Sequence, residues 1–165
     1  MKLEIVQKGN KVLETPTKLI SEKEISSTDL QTLILDMHET LASSNNGVAL
    51  AAPQVEANKR VFVISPNVFD MEEYHDLEIQ TVLINPKIIW QSKDNKRMEE
   101  GCLSIPGVTG FVKRSTRATV EATDENGHVF EIEGKGLLAQ IFQHEIDHLD
   151  GILFDSKATD LKGNE

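Results

Sequence analysis

The sequence predicts an α+β fold in which strands largely enclose the last helix. Three observations carry this. Strand-like runs lie between helical patterns near the two ends of the chain and do not alternate with them. Two of those runs, Thr119 to Thr123 and Val129 to Glu133, flank Asp124-Glu125-Asn126-Gly127-His128, the signal of an antiparallel hairpin. The last helical pattern, through Leu138, Ile141, Phe142, Ile146 and Leu149, is apolar on two sides, as a helix enclosed by strands must be.

Each element has a local cause. Ser26-Ser27-Thr28-Asp29 offers N-cap residues, and Leu30, Leu33, Ile34, Met37 and Leu41 follow at helical spacing. That helix is expected to fade over Ser43 to Gly47, where the glycine can supply a left-handed cap. Arg60 to Ser65 and Thr81 to Asn85 read as strands, each stopped by a proline, Pro66 and Pro86. The acidic stretch from Asn67 to Gln80 reads as a surface loop. The final helix opens near Gly136-Leu137 and stops near Asp150-Gly151, and the polar end of the chain is expected to fray. Without repeat or linker, residues 1–165 read as a single domain.

Composition narrows the class. With 17 basic against 27 acidic residues the net charge is −10, which argues against a sequence-independent grip on phosphate backbones. No apolar run approaches the roughly 18 residues needed to span a bilayer, and the N-terminal residues do not read as a targeting peptide. A single cysteine, Cys102, excludes an internal disulfide and fits a reducing compartment such as the cytoplasm. No membrane partner and no direct nucleic-acid partner is expected.

The chemistry sits in the last helix. His144-Glu145-Ile146-Asp147-His148 matches H-E-x-x-H, which stacks two imidazoles one turn apart so that they can share one metal ion. Glu145, beside the first ligand, can reach a metal-bound water without ligating. Two solvated histidines are the bland alternative, but a largely apolar helix rarely keeps such groups unused. A catalytic site usually needs a third protein ligand. The downstream position that a longer zinc-protease motif would use is Phe154, which cannot ligate. Upstream, Cys102 in Glu99-Glu100-Gly101-Cys102-Leu103-Ser104-Ile105-Pro106-Gly107 is the best candidate, a thiolate in a tight turn-like setting. An inert thiol or a Cys–His nucleophile are the other readings of the same residue. A third segment, Gly47-Val48-Ala49-Leu50-Ala51-Ala52-Pro53-Gln54, has small residues along which another chain could lie, and an amide at Gln54.

In this order the three segments resemble those of the peptide deformylase family: Gly47 to Gln54, Glu100 to Ser104 and Gln143 to Leu149. Val61 to Ile64, Leu83 to Pro86, Arg114 and Gly136 to Ala139 extend the resemblance. It implies a cytoplasmic hydrolase that removes the formyl group from the N-terminal formylmethionine of new polypeptides and releases formate. It implies a peptide deformylase-like α+β fold, antiparallel sheets wrapped around a central H-E-x-x-H helix, with Cys102, His144 and His148 holding one divalent metal ion, Fe2+ by preference, for which Ni2+, Co2+ or Zn2+ substitutes. Glu145 would be the general acid/base, and Gln54 and the Leu103 N–H would bind the formyl oxygen. The N-formylmethionyl polypeptide would lie as an added strand along Gly47, Val48 and Ala49 and along Gly107-Val108, with its methionine among Val48, Leu137, Ile141 and the His144 ring. Glu100 falls among the residues implied at the substrate, with Arg114 as its ion-pair partner. Two departures stand out. Residue 49 is Ala where the family usually has Gly, which would set a methyl in the path of the substrate. The chain also lacks the basic C-terminal helix of many relatives, so ribosome docking is not expected. A zinc-type metallopeptidase and a noncatalytic metal-stabilised binding domain are the alternatives; formate release from a formyl-Met peptide separates them.

Overall fold

Helix α1 (Glu22–Ile25) and the longer α2 (Thr28–Ala42) precede three strands, β1 (Ala49–Ala51), β2 (Val61–Ile64) and β3 (Val82–Gln91). Then come β4 (Asn95–Cys102), β5 (Ile105–Ser115), β6 (Arg117–Thr123) and β7 (Val129–Lys135), helix α3 (Leu137–Leu149) and β8 (Thr159–Gly163). This computed structural model describes residues 1–163. One sheet runs β1-β2-β3-β6-β7 and the other β4-β5-β8, with every pair antiparallel. α3 packs against β1, β3, β5, β6 and β7, so the predicted α+β arrangement around a central helix is what the chain adopts.

The run Val61-Phe62-Val63-Ile64 is apolar throughout because β2 is buried on both faces. Strand alternation sends Phe62 and Ile64 toward α3, where they meet Leu138, Phe142 and Leu149. Val61 and Val63 go to the opposite face, against Leu30, Ile34, Met37 and Leu41 of α2. A third cluster, with Leu13, Ile105, Val112, Leu153 and Phe154, fills the space beneath the smaller sheet. α3 ends where Gly151 takes φ +78; a Cβ there would lie 2.7 Å from the Glu14 carbonyl oxygen.

Several local expectations need correction. α2 starts as predicted, with the Ser27 side chain accepting from Leu30 N, but it ends at Ser43 in right-handed geometry. Gly47 is no left-handed cap; it is small because a Cβ would lie 2.4 Å from Ser44 Oγ. Pro86 does not stop β3: Asn85 takes φ +49, the register slips between Ile84 and Lys87, and the proline is absorbed at that irregularity. The stretch 67–80 is not merely a surface loop. It contains two short 3-10 helices whose Val68, Phe69 and Tyr74 are buried. Residues 159–163 do not fray, because β8 pairs with β5. Among the described residues no helix is long and apolar enough to cross a membrane.

Candidate metal centre and active site

Cys102 closes β4, and a two-residue turn, Leu103-Ser104, leads into β5, since Cys102 stands opposite Ile105. α3 brings His144 and His148 to the same point. The ligating atoms of Cys102, His144 and His148 all lie within 4.8 Å of one another, and among the described residues this is the one such cluster of His, Cys, Asp and Glu. His38, His75 and His128 take no part in it.

The surroundings favour a cation here. Cys102 Sγ stands 3.2 Å from His148 Nε2, close to the ~3.5 Å edge that metal–sulfur and metal–nitrogen bonds of about 2.3 and 2.0 Å make in a tetrahedron. His144 Nδ1 pairs with Glu100 Oε1 at 2.8 Å, which leaves Nε2 for a metal. Burial opposes a charge on His144, yet its hydrogen bonds to Cys102 and Glu100 outweigh that and push its pKa up to about 10. The site attracts positive charge, and a metal ion would displace the proton that otherwise answers that attraction. Burial holds His148 well below its ordinary value, so it presents a neutral lone pair. Glu145 Oε2 is buried without a hydrogen-bond partner, a polar atom that a water or substrate in the cleft would satisfy. The donor set and geometry fit a single divalent ion.

Burial pushes the Glu145 carboxyl up to about 7; positive charge on His144 opposes the rise, and Glu100 adds to it. That is the range in which one group can both take and give a proton at neutral pH. Gln54, 2% exposed, is held by Ala51 N, which donates to its Oε1 at 2.9 Å. Its Nε2 then faces Ser104 Oγ at 3.2 Å and Cys102 Sγ at 3.5 Å, beside the ligands. Behind them Arg114 donates twice to Glu100, both at 2.8 Å, and once to Asp147 Oδ2 at 2.6 Å. Burial alone would raise the Glu100 pKa, but the hydrogen bonds from Arg114 and His144 bring it down to about 2.

An open cleft of about 810 Å3 leads to the ligands. Gly47, Val48, Ala49, Gly107, Leu137 and Ile141 all line it, as do Gln54, Leu103, His144 and Glu145. Two sequence-based expectations change. Glu100 borders the cleft, but its carboxylate is committed to Arg114 and His144, so it orients a ligand and does not take up substrate. The Ala49 methyl packs in the core around α3, only 6% of the residue is exposed, and its φ is not positive, so it neither blocks the cleft nor strains the chain. Val108 pairs with Gly163 and Thr109 with Lys162 on the β8 side of β5, while Pro106 and Gly107 stand at the cleft without a strand partner. β1 stands at the end of its sheet, paired with β2 on one side only. Ser104, wholly buried against Gln54, and Asp147, the second partner of Arg114, are residues to which the sequence alone assigns no role. The place of Asp147 inside the motif is the signal for it.

Fold and site together define a mononuclear metallohydrolase with one thiolate and two imidazole ligands. Residues 2–164 match the family model for polypeptide deformylase. The peptide deformylase of Thermodesulfovibrio yellowstonii is 45% identical over 160 residues, covering 97% of this chain and 91% of the relative. The crystal structure of a peptide deformylase from Legionella pneumophila superposes with a TM-score of 0.85 at 38% identity, over 97% of this chain and 88% of that one. That of a peptide deformylase from Synechococcus elongatus in complex with actinonin gives 0.82 at 40% identity, over 96% and 79%. The chain belongs to the polypeptide deformylase family and is a metal-dependent enzyme.

Proposed function

We propose that this chain, as a single catalytic domain in the cytoplasm, removes the formyl group from the formylmethionine that begins a polypeptide and releases formate. Cys102, His144 and His148 hold one divalent ion, for which iron(II) is the family's preference; a set of one thiolate and two imidazoles also suits nickel, cobalt and zinc. Such an ion supplies a water acidified to neutral pH and a Lewis acid for the formyl C=O. Glu145 takes the proton of the attacking water and returns it to the departing amine, so one carboxylate serves both half-steps. Gln54 Nε2 and the Leu103 N–H meet the negative charge that grows on the formyl oxygen. Losing one such donor costs about 2.7–4 kcal/mol in other hydrolases. The substrate backbone lies as an added strand alongside Gly47, Val48 and Ala49 and along Gly107-Val108, and its methionine fills the apolar space between Val48, Leu137 and Ile141.

The observation that carries this reading is the unpartnered Glu145 carboxylate, buried beside three converging ligand atoms at the floor of an open cleft. A structural metal site has no use for such a group. The test measures formate release from a formyl-Met peptide beside cleavage of the same peptide unblocked. Formate from the first and no cleavage of the second is expected; internal cleavage without formate would overturn the proposal.

A further inference from the structure

The cleft extends past the metal ligands to β8, the outer strand of the smaller sheet, which contributes Lys162 and Gly163 to its wall. β8 is closely fitted there. Residue 110 of β5 is glycine, and a Cβ would lie 2.8 Å from Leu161 Cδ2 and 3.0 Å from Ala158 Cβ, so a side chain would lift the strand away. Asp160 takes φ +54 and its carboxylate pairs with Arg97 of β4. The ladder then resumes with Thr109 opposite Lys162. Since Gly101 stands opposite Thr109 from the other side, Gly101, Thr109 and Lys162 share one rung across three strands. Two strand spacings put Lys162 about 10 Å from the residue that precedes Cys102.

An extended polypeptide rises about 3.3 Å per residue. A substrate with its formyl group at the ligands therefore brings its third and fourth residues to the distance of Lys162. Among the described residues, Lys162 is the one Lys or Arg lining the cleft, and none of the ion pairs among them uses it. Of the three carboxylates on the lining, Glu100 is neutralised by Arg114 and Glu145 is buried at the floor, which leaves Glu99 as the exposed one.

Resting on the deformylase reading, we infer that Lys162 is a specificity-determining residue that favours polypeptides with acidic third and fourth residues. The contact lies remote from the reacting bond and persists through the reaction, so it acts on KM and leaves kcat alone. Its size is that of a solvent-exposed pair: a two- to fivefold preference, which is about 0.4–1 kcal/mol at 1.36 kcal/mol per decade. Screening should erase most of it at 1 M salt, where the Debye length is about 3 Å.

The test uses metal-loaded protein and amidated peptides, formyl-Met-Ala followed by Glu-Glu, Gln-Gln or Lys-Lys, with formyl-Met-Ala-amide as a substrate too short to reach β8. The native protein should rank them Glu, Gln, Lys through KM, and Lys162→Glu should reverse the order while treating the short substrate as before. Lys162→Gln should flatten the order, which guards against a folding effect of the charge reversal. An order unchanged in Lys162→Glu, or no order in the native protein, overturns the role of Lys162. Absence of formate from the short substrate overturns the deformylase reading itself, and this inference with it.

Discussion

Glu145 and Cys102 lie at the same site but carry separable burdens, one moving a proton and the other holding the metal. Glu145→Gln keeps shape and removes the proton carrier; it should retain the full metal content and lose about 10²–10⁴-fold in kcat. Cys102→Ala removes a ligand and should lose most of the metal and the activity together. Metal per chain, measured beside formate release, decides both, and a Cys102→Ala protein with full metal would falsify the ligand assignment. Glu100 makes a different contribution. Its carboxyl is held at about 2 by Arg114 and His144 against the cost of burial, below the roughly 4.3 of an unfolded chain. A depressed folded pKa contributes stability that is present above the unfolded value and lost as pH falls from there toward 2. The melting temperature of the native protein should thus fall more steeply between pH 5 and 2.5 than that of Glu100→Gln, which has no such proton to take up. Parallel slopes would show that Glu100 is not the linked group.

The start of α3 depends on a residue 63 positions upstream of its first turn: Tyr74 OH donates to Lys135 O at 2.6 Å and accepts from Leu138 N at 2.9 Å. Gly136, the N-cap, has no side chain to do this. Tyr74→Phe would leave two backbone groups short of a partner, each costing about 1–3 kcal/mol. Denaturant unfolding should show a loss of roughly 2–4 kcal/mol, and amide exchange at Leu138 should quicken. Unchanged exchange there would mean that the helix starts without the phenol. Nothing local in the sequence announces this contact, since Tyr74 stands in an acidic stretch, at the end of a three-residue 3-10 helix. What can be read are the elements whose burial has a period, α2, α3 and the β6–β7 hairpin with its Asn-Gly turn, and β2 as a short run apolar throughout. β4 could not be read, because Lys96, Arg97 and Glu99 face solvent and no alternation survives. The same contrast holds at the site. His144, Glu145 and His148 lie four residues or fewer apart on one helix, so spacing alone brings them together. The Arg114–Asp147 pair joins a strand to that helix across 33 residues and exists only once both sheets have closed on it.

At the scale of the whole molecule, the metal site is the place where the two sheets meet. Cys102 belongs to the three-stranded sheet, while His144 and His148 ride on the helix that packs into the five-stranded one. An ion shared by these three side chains is therefore a cross-link between the two halves of the fold, in addition to its chemical use. Its thermodynamic effect follows from linkage: a ligand present at 1,000 times its Kd, and binding only the folded state, stabilises by about 4.1 kcal/mol. For a chain of this size each kcal/mol moves the melting temperature by about 2–4 °C. Chelation should accordingly lower the melting temperature by roughly 8–16 °C, and readdition of nickel or iron(II) under anaerobic conditions should restore it. Cys102→Ala should melt at one temperature with or without added metal, because the ion then has only α3 to hold and joins nothing. Glu145→Gln should keep the full metal-dependent shift despite its lost activity, which separates the cross-link from the catalysis. If chelation strips the native protein of metal and leaves its melting temperature where it was, the ion does not bridge the two sheets, and the ligand set drawn from both of them is wrong.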